Sequence, residues 1–222
     1  MPRPTFFNLP EDKRARVVEA LKAEFAARPY ARASVDRVIA AAGVSKGSFY
    51  QYFENKEDAY AHLVRELMGA RVGPVGDPVP EAPFEEVLAA VVRGSRDFHL
   101  RDPLGWAVLA RALADDAPPV LESDRSVSDG VHRWAVAAIA AGQASGELRG
   151  DVDADTAAWM IERTLLGVPH YVMTRFNVDP ERAAADGSAF DRPEIARVAD
   201  DVVALLAAAL KTPRARGGEN RA

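Results

Sequence analysis

The sequence contains no cysteine. Disulfides, thiolate-held zinc and thiol nucleophiles are excluded together, and a reducing compartment fits the chain. Long apolar runs are missing too. Nothing approaches the roughly 18 consecutive apolar residues of a membrane span, and Met1–Pro10 lacks the apolar stretch of a signal peptide. Cytoplasmic residence, with no membrane partner, is the expectation. Histidine is scarce: His62, His99, His132 and His170 stand more than 30 residues apart, so no ligand-spaced pair exists. No segment alternates as a strand would, which leaves nothing to support a hydrolase elbow or a dinucleotide-binding fold. Gly43–Ser48 lacks the Gly-Lys-Ser/Thr ending of a phosphate loop. Neither an enzyme, a metal site nor a cofactor is expected.

What is present is an ordinary globular composition. Of 222 residues, 48% are hydrophobic and 27% charged, enough for one large or two small domains. The net charge of −5 is unevenly spread. Residues 1–56 carry ten Lys and Arg against six Asp and Glu, whereas residues 57–210 carry 14 against 26. Either surface charge is scattered at random, or a basic head on an acidic body meets a polyanion through the head alone.

Periodicity predicts an all-α chain. Residues 11–27 place Val17, Val18, Leu21 and Phe25 on one face. Residues 34–42 turn Val35, Val38, Ile39 and Ala42 inward, a short helix follows at 45–51, and another starts at Asn55 with Tyr60, Leu63, Val64 and Leu67. Four prolines between Val72 and Pro83 forbid a continuous helix and mark a linker. Helices are expected again at 84–100, 104–115, 118–144, 153–176 and 192–211. This organisation predicts a DNA-binding unit over 1–54, a connecting helix and linker over 55–83, a ligand-binding and dimerisation unit over 84–211, and a disordered tail over 212–222.

The stretch from Ile39 to Lys56 reads as helix, tight turn, helix. Gly43 sits where the first helix must end in a left-handed residue, Val44 plugs the corner, and Ser45 is a good N-cap for the second helix. Two helices joined by such a turn form the DNA-binding helix-turn-helix. Gly47 lies inside the short second helix, where it costs about 1 kcal/mol relative to alanine. Lys56 opens the next helix, where the dipole prefers an anion. A phosphodiester backbone lying against this surface explains both; drift at Gly47 and a solvated charge at Lys56 are the plainer accounts. Phe49 and Phe53, four apart, share an inner face, which leaves Tyr50 and Tyr52 to offer hydroxyls to phosphates.

Residues 11–67 resemble the DNA-binding domain of the TetR family of bacterial transcriptional regulators. The resemblance rests on the opening amphipathic helix, Phe25 to Tyr30, Ser34-Val-Asp, the run Ala42-Gly-Val-Ser-Lys-Gly-Ser-Phe-Tyr-Gln-Tyr-Phe, and Asn55-Lys56-Glu57. Pro29 departs from the glycine usual there. The resemblance implies about nine helices, a homodimer on a palindromic operator, and repression relieved by a small-molecule effector. It implies a phosphate contact at Ser34, a major-groove face of Ser45, Lys46, Gly47 and Ser48, and backbone contacts at Tyr50, Tyr52 and Lys56. Lys46 either reads a guanine edge or touches a phosphate. An activator of the same fold, and an interaction protein whose helix-turn-helix is only structural, are the competing readings.

In the last helix, Ile195, Val198, Val202, Leu205, Leu206 and Ala209 form a stripe that suits either an internal core or a dimer interface. The resemblance implies the latter, as a four-helix bundle with the partner's last two helices. The candidate ligand residues are Phe98, Trp106, Trp134, Trp159 and Tyr171, with Met160 and Met173 in support. Arg163 and His170 share a stripe with Trp159. They suit a carboxylate or phosphate, a pairing with Glu162, or plain solvent. Gly167 and Pro169 are expected to kink this helix. An apolar or amphipathic effector is expected, because aromatic candidates outnumber charged ones.

Overall fold

The structure, a computed structural model, describes residues 2–72, 82–112, 126–178 and 192–212. Among these every regular element is helical; the one other backbone pairing is an isolated bridge between Leu148 and Lys211. The helices are α1 (Pro4–Phe7), α2 (Glu11–Ala27), α3 (Val35–Ala42), α4 (Lys46–Tyr52), α5 (Lys56–Val72), α6 (Phe84–Arg101), α7 (Pro103–Ala112), α8 (Ser126–Ala144), α9 (Ala154–Phe176) and α10 (Pro193–Leu210). A short 3-10 turn, Tyr30–Arg32, follows Pro29. Most of the expected linker and the start of the helix expected at 118 lie outside the described residues. So does the expected tail, except Thr212, which is tied down by hydrogen bonds to Glu147 O at 3.1 Å and Gly146 O at 2.9 Å.

Local chemistry sets the helix ends in the N-terminal part. Glu11 and Asp12 place negative charge in the first turn of α2. Gly43 takes φ 64°, the left-handed value a helix end demands, and Ser45 Oγ accepts the Ser48 N–H at 3.0 Å to cap α4. At the start of α5, Asn55 Oδ1 accepts the Asp58 N–H at 2.8 Å while Asp58 Oδ2 accepts the Glu54 N–H at 3.0 Å, a reciprocal cap. Helix α1 escapes a periodicity reading because four residues span barely one turn. Pro4 opens it, and Phe6 is buried against Phe53, ring centroids 4.9 Å apart.

Two main apolar cores result. One joins α1–α5 to α7 and brings Leu21, Phe49, Phe53, Leu63 and Leu67 together with Trp106, Val108 and Leu109. The other joins α6, α8, α9 and α10 around Leu88, Ile139, Ile161 and Leu206. Packing is thus continuous across the joint, with α7 seated on both α2 and α5. Gly105 permits this, since a Cβ there would lie 2.7 Å from Leu67 Cδ2.

Candidate functional site

The outward side of α4 is a patch of short and polar side chains. Ser45, Lys46, Gly47 and Tyr50 are exposed and Ser48 is half-buried, while Phe49 and Phe53 anchor the helix from within. Lys46 Nζ meets Asp36 Oδ1 at 3.1 Å; the hydrogen bond and charge of Asp36 hold the ammonium above its usual pKa. Both groups are solvated, so the contact is weak and yields readily to a stronger anion. A Cβ on Gly47 would find nothing closer than Ser45 Oγ at 3.8 Å, so nothing in the fold itself requires glycine there. Gly43 to Gly47 also has the Gly-x-Ser-x-Gly spacing of a hydrolase elbow. Here no strand precedes it, and Ser45 Oγ is spent on the cap and on Ser48 Oγ at 2.9 Å.

Two expected phosphate contacts are corrected. Tyr52 is buried, 4% exposed, because α1 folds over it and brings Phe6 within 6.3 Å of its ring. Lys56, half-buried, is not a free cation. Its Nζ donates to Tyr30 O at 2.8 Å and Ala33 O at 3.1 Å, and it lies 4.3 Å from the centre of the Tyr30 ring. It braces the segment that leads into α3. Ser34 stands at the head of α3 with its hydroxyl making no cap; its N–H donates to Glu24 Oε1 at 2.8 Å. Glu24, in the core wall, also takes Arg37 Nη2 at 2.7 Å and Arg28 Nη1 at 3.1 Å. Burial works against its charge, but these donors outweigh burial and lower its pKa.

A cavity of about 350 Å³ lies between α5, α6, α8, α9 and α10. Its wall is mostly apolar, with Met68, Val91, Trp134, Leu165 and Val202 among the lining residues. Arg71, in the last turn of α5, enters this wall and donates from Nε to Ser95 Oγ at 3.1 Å. Burial pushes its pKa down to about 10. Glu162 shares the wall, but its Oε2 contacts His132 Nδ1 at 3.1 Å, and His132 Nε2 contacts Asp155 at 2.9 Å. Those two carboxylates raise the histidine pKa. The Trp134 indole N–H is buried with no acceptor among the described residues.

Of the expected ligand residues, the structure brings only Trp134 to the cavity. Phe98 and Trp106 are sealed in the first core, the latter edge-on to His99 with centroids 4.7 Å apart. Trp159, 55% exposed, lies with Arg163, His170 and Tyr171 on the outer face of α9. The inward stripe of that helix is instead Glu162, Leu165, Pro169 and Val172, one residue out of phase. Tyr171 is engaged by Arg175, whose guanidinium lies 5.6 Å from its ring centre. The stripe on α10 divides similarly. Ile195, Val198 and Leu206, expected at an interface, are buried inside this chain instead, Val202 lines the cavity, and Leu205 (70% exposed) and Ala209 face outward. Arg71, Ser95 and Glu162 were missed. Charged residues on a helix surface carry no sequence mark that separates a cavity wall from solvent.

The joint between the two halves is polar as well as apolar. Lys22 of α2 pairs with Asp102 at the head of α7, and Arg111 Nε donates to Ala26 O at 2.8 Å. Helix α5 touches both the segment leading into α3, through Lys56, and the cavity, through Arg71.

Comparison with known proteins places these features among regulators. Residues 17–63 match the family model described as bacterial regulatory proteins, tetR family. A TetR family transcriptional regulator from Chloroflexus aurantiacus is 31% identical, with 96% of this chain and all of that one covered at a TM-score of 0.69. The fatty acid metabolism regulator protein of Bacillus subtilis is 26% identical over 161 residues, covering 69% of this chain and 79% of that protein. FadR from Bacillus subtilis in complex with stearoyl-CoA shares the fold, with a TM-score of 0.67 at 22% identity over 87% of this chain and 97% of that one.

Proposed function

The chain belongs to the TetR family of bacterial transcriptional regulators, and from that premise we propose that it is a repressor: a homodimer bound to a palindromic operator and released when a small apolar or amphipathic effector fills the cavity. The observation that carries this reading is the outward face of α4. Lys46, Gly47, Ser48 and Tyr50 stand on a helix capped by Ser45 and anchored by Phe49, with an ion pair to Asp36 that a phosphate can displace. Ser34, at the head of α3, adds a phosphate donor. Lys56 and Tyr52 serve this face from behind, as brace and as core.

The dimer reading is supported by exposed apolar side chains on the last two helices, Trp159 and Tyr171 on α9 and Leu205 on α10. A second copy placed against them forms the expected bundle. The effector reading is supported by the cavity itself and by the fatty-acid link in the names of the Bacillus subtilis relatives. An effector lowers operator affinity only by preferring a conformation with badly spaced recognition helices; α5, shared by both sites, is the element through which it acts.

The test is competition binding. Purified protein should hold a duplex from its own upstream region in the presence of excess random duplex at moderate salt, and Lys46→Ala should reduce the salt slope by about one. Equal affinity for both duplexes contradicts the reading.

A further inference from the structure

The least expected residue of the cavity is Arg71. A guanidinium is the side chain least able to shed its charge, and taking it into an apolar wall is costly unless an anion or several acceptors meet it. Among the described residues it has one partner, the neutral hydroxyl of Ser95. Burial lowers its pKa, and among the described residues no carboxylate acts against that. One acid of the same wall, Glu162, is engaged by His132. With Nε given to Ser95, the edge formed by Nη1 and Nη2 remains, and that edge matches the two oxygens of a carboxylate.

Resting on the effector reading above, we propose that Arg71 and Ser95 form an anion subsite inside the cavity, so that the effector is an amphipathic anion: an apolar body with one compact carboxylate drawn inward to the end of α5. The remaining wall, from Met68 to Trp134 and Leu165, takes the apolar body. Arg93 and Arg96, exposed on α6 among the lining residues, attract the same charge from solvent, with Glu86 as the opposing acid. The cavity, about 350 Å³, falls within the size range of small-molecule pockets and has room for a compact apolar body. The subsite also explains how binding reaches DNA, because the residue that takes the anion lies in the last turn of the helix whose first residue, Lys56, braces the approach to α3.

Calorimetric titration of the full chain without DNA, using decanoate, 1-decanol and decylamine, tests this separately from operator binding. Decanoate should bind at least ten-fold tighter than 1-decanol, and decylamine more weakly than either. Arg71→Met should bring decanoate and 1-decanol to about equal affinity while 1-decanol binding persists, and Arg71→Lys should keep part of the preference. Because the wild-type guanidinium has no anionic partner among the described residues, Arg71→Met should melt no lower than wild type; a structural ion pair would give the opposite. Equal wild-type affinities for decanoate and 1-decanol, or no decanoate binding, overturn the proposal while leaving DNA recognition untouched. A melting point well below wild type in Arg71→Met also counts against it.

Discussion

Lys22 Nζ lies 2.7 Å from Asp102 Oδ2, a half-buried ion pair that ties the first long helix of the DNA-binding head to the start of α7. Asp102 does a second job with its other oxygen, accepting the Gly105 N–H at 2.8 Å and so capping α7. Burial works against the Lys22 ammonium, yet hydrogen bonds to Asp102 and Glu19 keep its pKa raised. Asp102→Ala removes cap and pair together. Thermal or urea unfolding should show a loss of about 1–3 kcal/mol; an unchanged midpoint would mean the joint is held by apolar packing alone.

Gly47 separates stability from recognition. Alanine fits the space around it in the free protein, and a helix interior favours alanine by about 1 kcal/mol. Gly47→Ala should therefore melt slightly higher while losing operator affinity, read by fluorescence anisotropy. Wild-type affinity in this variant would remove the argument that DNA backbone approaches here.

Glu24 predicts an acid dependence of the head. Its folded pKa is depressed below the ordinary 4.5. Its stabilising contribution is therefore complete above about 4.5 and is lost as pH falls through the lower folded value. Glu24→Gln should lower stability at neutral pH and flatten the acid limb of a melting-temperature profile. An acid limb of wild-type slope in the variant would place the titration elsewhere.

Adjacent leucines on α10 test the dimer. Leu206 is 6% exposed and Leu205 70%. Leu206→Ala should cost about 2–5 kcal/mol of fold stability as a cavity substitution. Leu205→Glu should leave the helical signal intact and reduce the light-scattering mass to that of one 24.0 kDa chain. A Leu205→Glu dimer of unchanged mass would move the interface off this face.

The helix-turn-helix was legible because its residues answer local demands. Gly43 has to adopt positive φ and Ser45 has to cap, whatever surrounds them. Most helix ranges followed from periodicity for the same reason. Tyr52 was not legible, because its burial depends on α1, too short to show a period. Nor were the two sides of α10: Leu205 and Leu206 are chemically alike, and only the position of α6 and α9 makes one internal. The large aromatics misled about the cavity, since Phe98 and Trp106 fill a core equally well. Arg71, a cation in the last turn of a helix, looks in sequence like any residue that complements the helix dipole.

The central claim, a dimeric regulator reading DNA through α4, meets its most direct test in a hydroxyl-radical footprint on duplex from the protein's own upstream region. The account predicts two protected patches on one face of the DNA, related by a dyad and about one helical turn apart, roughly 34–36 Å. They should fade when Lys46 is replaced by alanine. A single unpaired patch, or protection no different from that of random duplex, would contradict it.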